Sequence, residues 1–481
     1  MPNESSIDKQ KEINYGQSMS SKRTPDTHNT GNVCRVAPAP NVLRAIRREM
    51  QANSWTAEDI LFRSVASRMG VERSSHRMGF NDGIFYPEEY LPEGLSRVAA
   101  TRPSIRTRMR KTTGSIRILV ILVDFSDNEG QRSPQDLDDL LFSLDKYPTG
   151  SLRDYYREVS YGKLDVTGRV VGWLRMPHRY RYYVDGDSGT SDRYPTNSQG
   201  LTEDALREAA QNLNLEEFDV DGDGFLDGLF IVHAGEGAEA IEDAQQRRNM
   251  IWSHKGLLTQ SLTLNGVAAY SYSVEPEDGC VGVFAHEFGH LLGLPDLYDT
   301  TYRSAGAGAW CLMANGAWGD QGKKPAHPCA WAKAHLGWLE PRSISVASST
   351  TLLSVEGSSD VCRLWKGGQH GPEYFLIENR QRQGFDLSLP GGGLLIWHID
   401  DRQSNNDDAL HYRVGLKQAD GRRDLERGQN DGDEKDPYNS PACFDDTSKP
   451  NSRDYFGDPT GVAVRNIIQG DSGAVTADLE V

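Results

Sequence analysis

The chain contains little cysteine and no long hydrophobic run. Six of its 481 residues are cysteines, and no two are spaced as C-x-x-C, so the pattern disfavours a structural zinc ribbon. A chain of this length can bury a core large enough to fold without disulfides, and we leave the cysteine pairing open. The longest apolar run, residues 118–123, is far too short to cross a bilayer. We therefore predict no membrane span and interpret this run as a buried strand.

Basic residues are also fewer than acidic ones. Lys and Arg together number 52, against 69 Asp and Glu, which gives a net charge of -17. A surface of this sign repels nucleic acid and anionic membranes, so we predict neither as a partner. The acidity suits a protein that binds cations. The sequence leaves the oligomeric state open.

The N-terminal residues lack the apolar segment of a secretory signal peptide. Residues 1–40 are mostly polar, and we predict a disordered tail. Residues 41–71 have helical patterning and residues 106–111 form a basic run, so we predict that 41–114 is a leader or pro-segment-like region. A lone cysteine in a polar tail is usually incidental, and we favour that interpretation of Cys34 over a thiolate that caps a metal.

The most informative segment is residues 286–290, which read H-E-F-G-H. Residues four apart share one face of a helix, so the imidazoles of His286 and His290 can bind one metal ion, and this geometry favours zinc. Glu287 lies beside the metal but around the helix, where it can act as a general base on a zinc-bound water. A metal-free core helix is the alternative, but it would bury two imidazoles and a carboxylate at a cost in stability.

A catalytic zinc site takes three protein ligands, and Asp296 is the nearest candidate for the third. The order H-E-x-x-H-x-x-G-x-x-D places Gly293 where a helix can end in the left-handed conformation. Pro295 then discourages the helix from resuming. The chain can therefore swing back and present the Asp296 carboxylate to the metal.

A second pattern of metal ligands spans residues 219–227. The loop reads D-x-D-x-D-G-x-x-D, with its carboxylates at Asp219, Asp221, Asp223 and Asp227. Alternate carboxylates and a turn-forming glycine suit calcium, although no Glu occupies the twelfth position as it does in an EF-hand. Carboxylates this close repel one another without a cation, so we favour a structural Ca2+ site over a plain acidic turn.

Strand and helix patterns divide the remaining chain in two. In residues 115–345, predicted strands at 116–125 and 228–233 alternate with predicted helices, one beginning at 151 and one at 201–213. This part contains both metal motifs, and we predict that it is the catalytic domain. In residues 346–481, short strand-like runs alternate with Gly, Asp and Asn clusters, at 351–355, 374–378, 394–399 and 412–416. That patterning predicts a β-rich C-terminal region.

Longer segments extend the pattern beyond the motif. They are LVDFSD at 122–127, DYYREVSYGK at 154–163, HEFGHLLGLPDLYD at 286–299, AWCLMANGAW at 309–318, EYFLIENRQ at 373–381, GLLIWHID at 393–400 and QADG at 418–421. Together they resemble the immune inhibitor A family of secreted bacterial metallopeptidases over about residues 115–470. The resemblance implies an α+β zincin catalytic domain of the metzincin-like type, with a mixed sheet over an active-site helix and extracellular action.

The resemblance also implies residue roles. Met313 is similar to the methionine of the turn beneath the metal in metzincins, although by itself it would be an ordinary core methionine. Glu378, in the segment EYFLIENRQ, is a second candidate for the third zinc ligand. We favour Asp296 over Glu378 on local geometry.

We predict a zinc-dependent endopeptidase that hydrolyses protein or peptide substrates, through a zinc-activated water and with Glu287 as general base. Zn2+ is the catalytic cofactor and Ca2+ the structural one. A non-catalytic zincin scaffold for binding or adhesion is the alternative, and Glu287 argues against it because such a scaffold has no chemical use for that carboxylate. A zinc hydrolase of other substrates is a third interpretation, which the family resemblance disfavours.

Overall fold

The protein combines a mixed α/β part with a β-rich part. The computed structural model describes residues 33–52, 112–191, 193–470 and 472–481. Its strands are β1 (Val33–Arg35), β2 (Gly114–Asp124), β3 (Leu164–Arg175), β4 (Gly228–His233), β5 (His254–Leu264), β6 (Val267–Pro276), β7 (Arg342–Ile344), β8 (Ser348–Leu352), β9 (Val361–Trp365), β10 (Glu373–Arg380), β11 (Gly393–Asp400), β12 (Val414–Leu416), β13 (Ala463–Gln469) and β14 (Val475–Glu480). Its α-helices are α1 (Pro40–Ala52), α2 (Pro134–Phe142), α3 (Leu152–Val159), α4 (Tyr180–Val184), α5 (Ser198–Ala209), α6 (Ala244–Arg248), α7 (Val281–Leu292) and α8 (Ala330–His335).

A six-stranded mixed sheet forms the centre of the first part. Its order is β1-β5-β6-β4-β2-β3, with β6, β4, β2 and β3 parallel and with β5 and β1 antiparallel to their neighbours. The predicted strand at 116–125 is β2, and its residues 118–123 are fully buried. Alternate side chains of β2 enter two separate apolar clusters. The sheet is therefore covered on both faces, which explains the unbroken apolar run in its sequence.

Helices α3 and α7 cover one face of this sheet, and α5 covers the other. The predicted helix beginning at 151 is α3, which Ser151 and Asp154 start with a capping box. Its Tyr156 ring lies 4.9 Å from the ring of Phe288 in α7. The helix predicted at 201–213 is α5, which begins and ends a few residues earlier. This packing fixes α7, the helix of the H-E-F-G-H motif, against the sheet.

The C-terminal part is β-rich, as predicted. It contains a five-stranded sheet, β12-β11-β10-β9-β7, and a three-stranded sheet, β13-β14-β8. Strand β7 joins the first of these, so the β-rich part begins slightly before the predicted boundary at 346. Leu376 of β10 and Trp397 of β11 enter the same apolar cluster as Phe288 of α7. The two parts of the chain therefore share a core.

Residues 33–40 differ from the prediction, whereas α1 agrees with the helical patterning predicted from residue 41. Residues 33–40 lie in the segment predicted to be a disordered tail, but β1 forms the edge of the mixed sheet and Val42, Leu43 and Ile46 of α1 are buried in its core. The predicted tail at 1–32 and the rest of the predicted leader, including the basic run at 106–111, lie outside the described residues. The short apolar stretch at 33–39 was hidden within a polar composition, and its partner strand β5 lies far along the chain.

Two further predictions concern cysteine and the membrane. Cys311 and Cys329 are adjacent thiols, with the Cys329 N–H donating to Cys311 Sγ at 3.3 Å. In the part of the chain that the structure describes, every helix is too short or too polar to cross a bilayer.

Candidate metal centre

Helix α7 carries the H-E-F-G-H motif and ends where the sequence predicted. Its last turn is capped by Gly293, whose φ is 107°. Within the motif, a Cβ on Gly289 would lie 2.6 Å from Met313 Sδ. A larger residue would push the turn at Met313 away, so this glycine fixes the distance between helix and turn. Met313 therefore packs directly against the motif.

Backbone carbonyls orient the two histidines. His286 Nδ1 donates to Leu312 O at 3.0 Å, and His290 Nδ1 donates to Leu294 O at 2.9 Å. Since a carbonyl only accepts, each Nδ1 carries the proton and each Nε2 presents a lone pair. The two Nε2 atoms lie 3.1 Å apart. Burial lowers the pKa of His290, although Asp296 opposes it, which favours the neutral form that binds metals.

Asp296 lies beside the two histidines and is the third potential zinc ligand. Its Oδ1 lies 3.2 Å from Nε2 of both His286 and His290. The following residue, Leu297, donates its N–H to Met313 O at 2.7 Å, which anchors the loop to the same turn.

The spacing of these three atoms fits a metal ion. Because neither Nε2 carries a proton, the contacts with Asp296 are not hydrogen bonds, and both carboxylate oxygens of Asp296 are buried without a hydrogen-bond partner among the described residues. Two ligands about 2.0–2.1 Å from a tetrahedral zinc ion lie about 3.3–3.4 Å apart. The observed separations of 3.1–3.2 Å are close to that value. Three lone-pair donors thus converge on one point with no proton between them.

Glu287 lies beside this point. Its carboxylate and the ligand atoms of His286 and His290 are all within 4.8 Å of one another. Both of its oxygens are buried with no hydrogen-bond partner in the described part of the chain. Burial raises the pKa of Glu287 well above its ordinary value, and the charges of Glu275 and Asp296 add to the effect. A raised pKa suits a group that must accept a proton near neutral pH.

Glu378, the alternative third ligand, is engaged elsewhere. Trp397 Nε1 donates to it at 2.7 Å, and a guanidinium nitrogen of Arg380 donates to it at 3.4 Å. Among the described residues it joins none of the groups of close metal-ligand atoms. The structure therefore brings Asp296, and not Glu378, to the two histidines.

The β-rich part supports the loop that follows Asp296. The buried Asn406 donates from Nδ2 to Leu297 O at 2.8 Å. Asp407 accepts from both the N–H and the hydroxyl of Thr300, at 2.8 Å each. These bonds link the β11–β12 connection to the candidate site, so the C-terminal part helps to position the Asp296 carboxylate.

Cys34 also lies at the site. Its Sγ, a ring nitrogen of His290 and a carboxylate oxygen of Asp296 are all within 4.8 Å of one another. The residue is fully buried in β1 and pairs with Lys255 of β5. The polar sequence around Cys34 gave no sign of this position, because the contact depends on a strand pairing between distant parts of the chain.

Buried charges surround Glu287, and the sequence did not single them out. Glu239 accepts from the N–H and the hydroxyl of Ser253, at 3.0 and 2.6 Å, and burial raises its pKa to about 7. Glu275 is fully buried, and burial raises its pKa well above the usual range. Lys255 is buried as well, and its charge opposes the raised pKa of Glu287. These residues are scattered along the chain, so only the fold reveals them.

The acidic loop at 219–227 is the second candidate site. Ligand oxygens of Asp219, Asp221 and Asp227 lie within 4.8 Å of one another, whereas Asp223 is outside this group and accepts from the Phe225 N–H at 2.9 Å. The N–H groups of residues 223 and 224 donate to Asp219, at 3.0 and 2.9 Å. Apart from the buried Leu226, the loop is half-buried or exposed, and β4 follows it.

The sequence did not indicate Tyr298 or a further cluster of carboxylates, because neither lies in a recognisable local motif. Tyr298 packs near His286, with ring centroids 6.5 Å apart, and its hydroxyl donates to Arg35 O at 2.9 Å. A further cluster of half-buried carboxylates lies in the C-terminal part, with oxygens within 4.8 Å of one another, at Asp420, Asp424 and Asp433.

Comparison with known proteins gives related sequences for this region. Residues 106–340 match the family model described as immune inhibitor A peptidase M6, catalytic domain. The chain is 31% identical over 288 residues to the pre-pro-metalloprotease PrtV of Vibrio cholerae serotype O1 (strain M66-2), across 48% of this chain and 31% of that protein. It is 32% identical over 273 residues to immune inhibitor A of Bacillus thuringiensis subsp. alesti, across 47% of this chain and 40% of that protein. The matches thus span 31% and 40% of the lengths of these curated relatives.

Proposed function

Residues 106–340 belong to the immune inhibitor A family of metallopeptidases, and from this we propose that the chain is a zinc-dependent endopeptidase. His286, His290 and Asp296 are its zinc ligands. The observation that carries the proposal is the convergence of three buried ligand atoms, one from each residue, at separations of 3.1–3.2 Å. A set of two imidazoles and one carboxylate leaves a fourth position open, as catalytic zinc sites require.

Glu287 performs the proton transfers in this proposal. Zinc, when bound, lowers the pKa of its water and polarises the carbonyl of the scissile bond. Glu287 accepts the proton of the attacking water and then gives it to the leaving amine. Its burial and lack of another hydrogen-bond partner keep the carboxylate available for that role. Tyr298, whose hydroxyl already donates to a backbone carbonyl beside the site, is suited to donate to the developing oxyanion.

The fold around the site supports a more specific classification of the peptidase. The mixed sheet, the helix α7 and the turn at Met313 support assignment to the metzincin-like zincins, with protein or peptide substrates. The names of the relatives describe those proteins as a metalloprotease and an immune inhibitor. Extracellular action stays a prediction from the family resemblance.

The acidic loop is the proposed calcium site. Carboxylates of Asp219, Asp221 and Asp227 approach one another closely enough to share one cation, which supports the proposal. Asp223 lies outside this group, so the proposal rests on the other three carboxylates. The loop is fixed to β2, because the Arg117 N–H donates to Asp227 Oδ2 at 3.0 Å. Its proposed role is structural, since nothing in the loop joins the zinc ligands.

The experiment that tests the proposed function measures zinc content and the cleavage of unfolded casein in the Glu287→Gln variant. Glutamine keeps the size of the side chain but removes its basicity, so we expect one equivalent of zinc and a rate lower by about 10²–10⁴-fold. Glu340→Gln, at an exposed position, is the matched control and should match the wild type. Near-normal cleavage by Glu287→Gln would overturn the mechanism. If the wild type and both variants bind zinc and none of them cleaves casein, a binding scaffold would be favoured.

A further inference from the structure

The edge of the mixed sheet next to the metal ligands is occupied by the chain's own N-terminal segment. Strand β1 runs antiparallel to β5, with Cys34 opposite Lys255 and Arg35 opposite His254. An extended peptide that adds to the edge of a sheet is a common mode of peptide recognition. The segment therefore lies where an extended peptide would lie if it bound along β5.

Residues 35–37 are held by hydrogen bonds to their backbone from several directions. Arg35 O accepts from the Tyr298 hydroxyl at 2.9 Å, and Val36 O accepts from Trp252 Nε1 at 3.0 Å. Ala37 O accepts from Trp318 Nε1 at 2.8 Å. These contacts fix main-chain atoms and make no demand on the side-chain sequence. They hold the segment in register, so the position of the Cys34 side chain is defined.

At that register the Cys34 side chain points to the metal ligands. Its Sγ lies within 4.8 Å of ligand atoms of His290 and Asp296. Independently of the cysteine, the carboxylate oxygens of Asp296 and Glu287 are buried without hydrogen-bond partners in the described residues, and a cation bound beside them would satisfy both carboxylates. Thiolate sulfur is a strong zinc ligand, and three protein ligands leave one position for it.

We propose that Cys34 is the fourth ligand of the zinc ion and that residues 33–37 keep the site closed. This inference rests on the proposed function. A sulfur atom in the fourth position excludes the water on which Glu287 would act. The segment also covers the edge of β5 and engages the Tyr298 hydroxyl, so it blocks the metal, the base and the oxyanion donor together. Displacement of β1 would open all of them at once.

Zinc X-ray absorption on the full chain loaded with one equivalent of zinc tests the proposal. A sulfur ligand at about 2.3 Å is separable from nitrogen and oxygen ligands at about 2.0–2.2 Å. We expect one sulfur in the wild type, none in Cys34→Ser, and full zinc content in both. Cys443→Ser, at an exposed position in the C-terminal part, is the matched control and should keep the sulfur signal. A wild-type zinc shell without sulfur would overturn the proposal.

Casein cleavage by Cys34→Ala gives a second readout. Cys34→Ala should cleave casein at least tenfold faster than the wild type, and the double variant Cys34→Ala, Glu287→Gln should lose that gain. A sulfur-free zinc shell in a wild type that cleaves casein would remove the proposed cap and leave the peptidase intact. Failure of the wild type to bind zinc at all would overturn the proposed function and the cap with it. A sulfur signal that persists in Cys34→Ser would assign the ligand to another cysteine.

Discussion

The loop that carries Asp296 and the loop that carries Asp219 both gather potential metal ligands, but they are shaped in different ways. The first is buried and is held by distant residues, because the backbone of Leu297 is hydrogen-bonded to Met313 and to Asn406. The second is half-buried or exposed apart from Leu226, and its own N–H groups donate to its aspartates. Its backbone is also hydrogen-bonded to Ala268 of β6. A local motif predicts the carboxylates of the second loop, whereas the ligand set of the first depends on the whole fold.

The largest expected effect is the loss of a histidine ligand from the buried site. We expect His290→Ala to lose bound zinc and to cleave casein at the background rate, because the ligands that remain hold zinc more weakly than the complete set. Zinc content after dialysis and the rate of casein cleavage are the measurements. His370→Ala, which removes an exposed histidine, should change neither. Calcium-dependent stability should survive in His290→Ala if the two sites are independent, and its loss would show that they are coupled.

Removal of Asn406 tests whether the β-rich part supports the buried loop. The Asn406→Ala variant loses the hydrogen bonds that Asn406 donates to Leu297 O and Val414 O, at 2.8 and 2.9 Å, and the one that it accepts from the buried Val414 N–H, at 3.1 Å. We expect the free energy of unfolding to fall by about 1–3 kcal/mol and zinc affinity to fall with it. Urea unfolding and zinc titration measure both. Asn212→Ala, at an exposed position, is the control. Unchanged zinc affinity in a destabilised Asn406→Ala would show that the C-terminal part does not position Asp296.

Acid should destabilise the folded chain through protonation of the buried His233. Burial lowers the pKa of His233 to about 4 in the folded chain, against an ordinary value of 6.5. The unfolded chain therefore takes up the proton first, and stability that is full above pH 7 is lost as the pH falls from about 6.5 towards 4. At pH 5 the loss from this residue is about 2 kcal/mol. In chelator, His233→Asn should reduce the difference in unfolding free energy between pH 7.5 and pH 5. An identical pH dependence in the variant would contradict this assignment.

The smallest expected effect is the stabilisation of the fold by calcium. At about ten times its dissociation constant, calcium bound to the acidic loop stabilises the fold by about 1.4 kcal/mol, seen as a rise of a few degrees in the thermal midpoint. Magnesium should substitute poorly, because it requires tighter octahedral geometry. Asp221→Asn combined with Asp223→Asn should abolish the rise and leave zinc content unchanged, while Asp458→Asn, an exposed control, should keep it. A metal-stripped wild type that melts identically with and without calcium would reduce the loop to an acidic turn.

The sequence predicted what depends on short-range pattern. The apolar run of β2, the helix α7 and its end at Gly293 follow from periodicity and from glycine conformation, and each is present. The β-rich C-terminal part follows in the same way. These features require only neighbours along the chain, so one sequence is enough to infer them.

The sequence did not predict what depends on long-range pairing. β1 lies at the sheet edge because its backbone pairs with β5, and no residue near Cys34 indicates that partner. The carboxylate of Glu275 and the ammonium of Lys255 reach the surroundings of Glu287 for the same reason. The choice between Asp296 and Glu378 also needed the fold, since both are carboxylates in the segments that resemble the family.

The most direct test of the zinc site is the zinc content of Asp296→Asn and Glu378→Gln after dialysis against the same zinc buffer. Each variant removes one carboxylate charge and keeps the shape of the side chain. We expect Asp296→Asn to lose most of its zinc and Glu378→Gln to retain one equivalent, because of these two carboxylates Asp296 lies 3.2 Å from both histidine nitrogens. Retention of zinc by Asp296→Asn together with its loss from Glu378→Gln would show that Glu378, and not Asp296, is the third ligand.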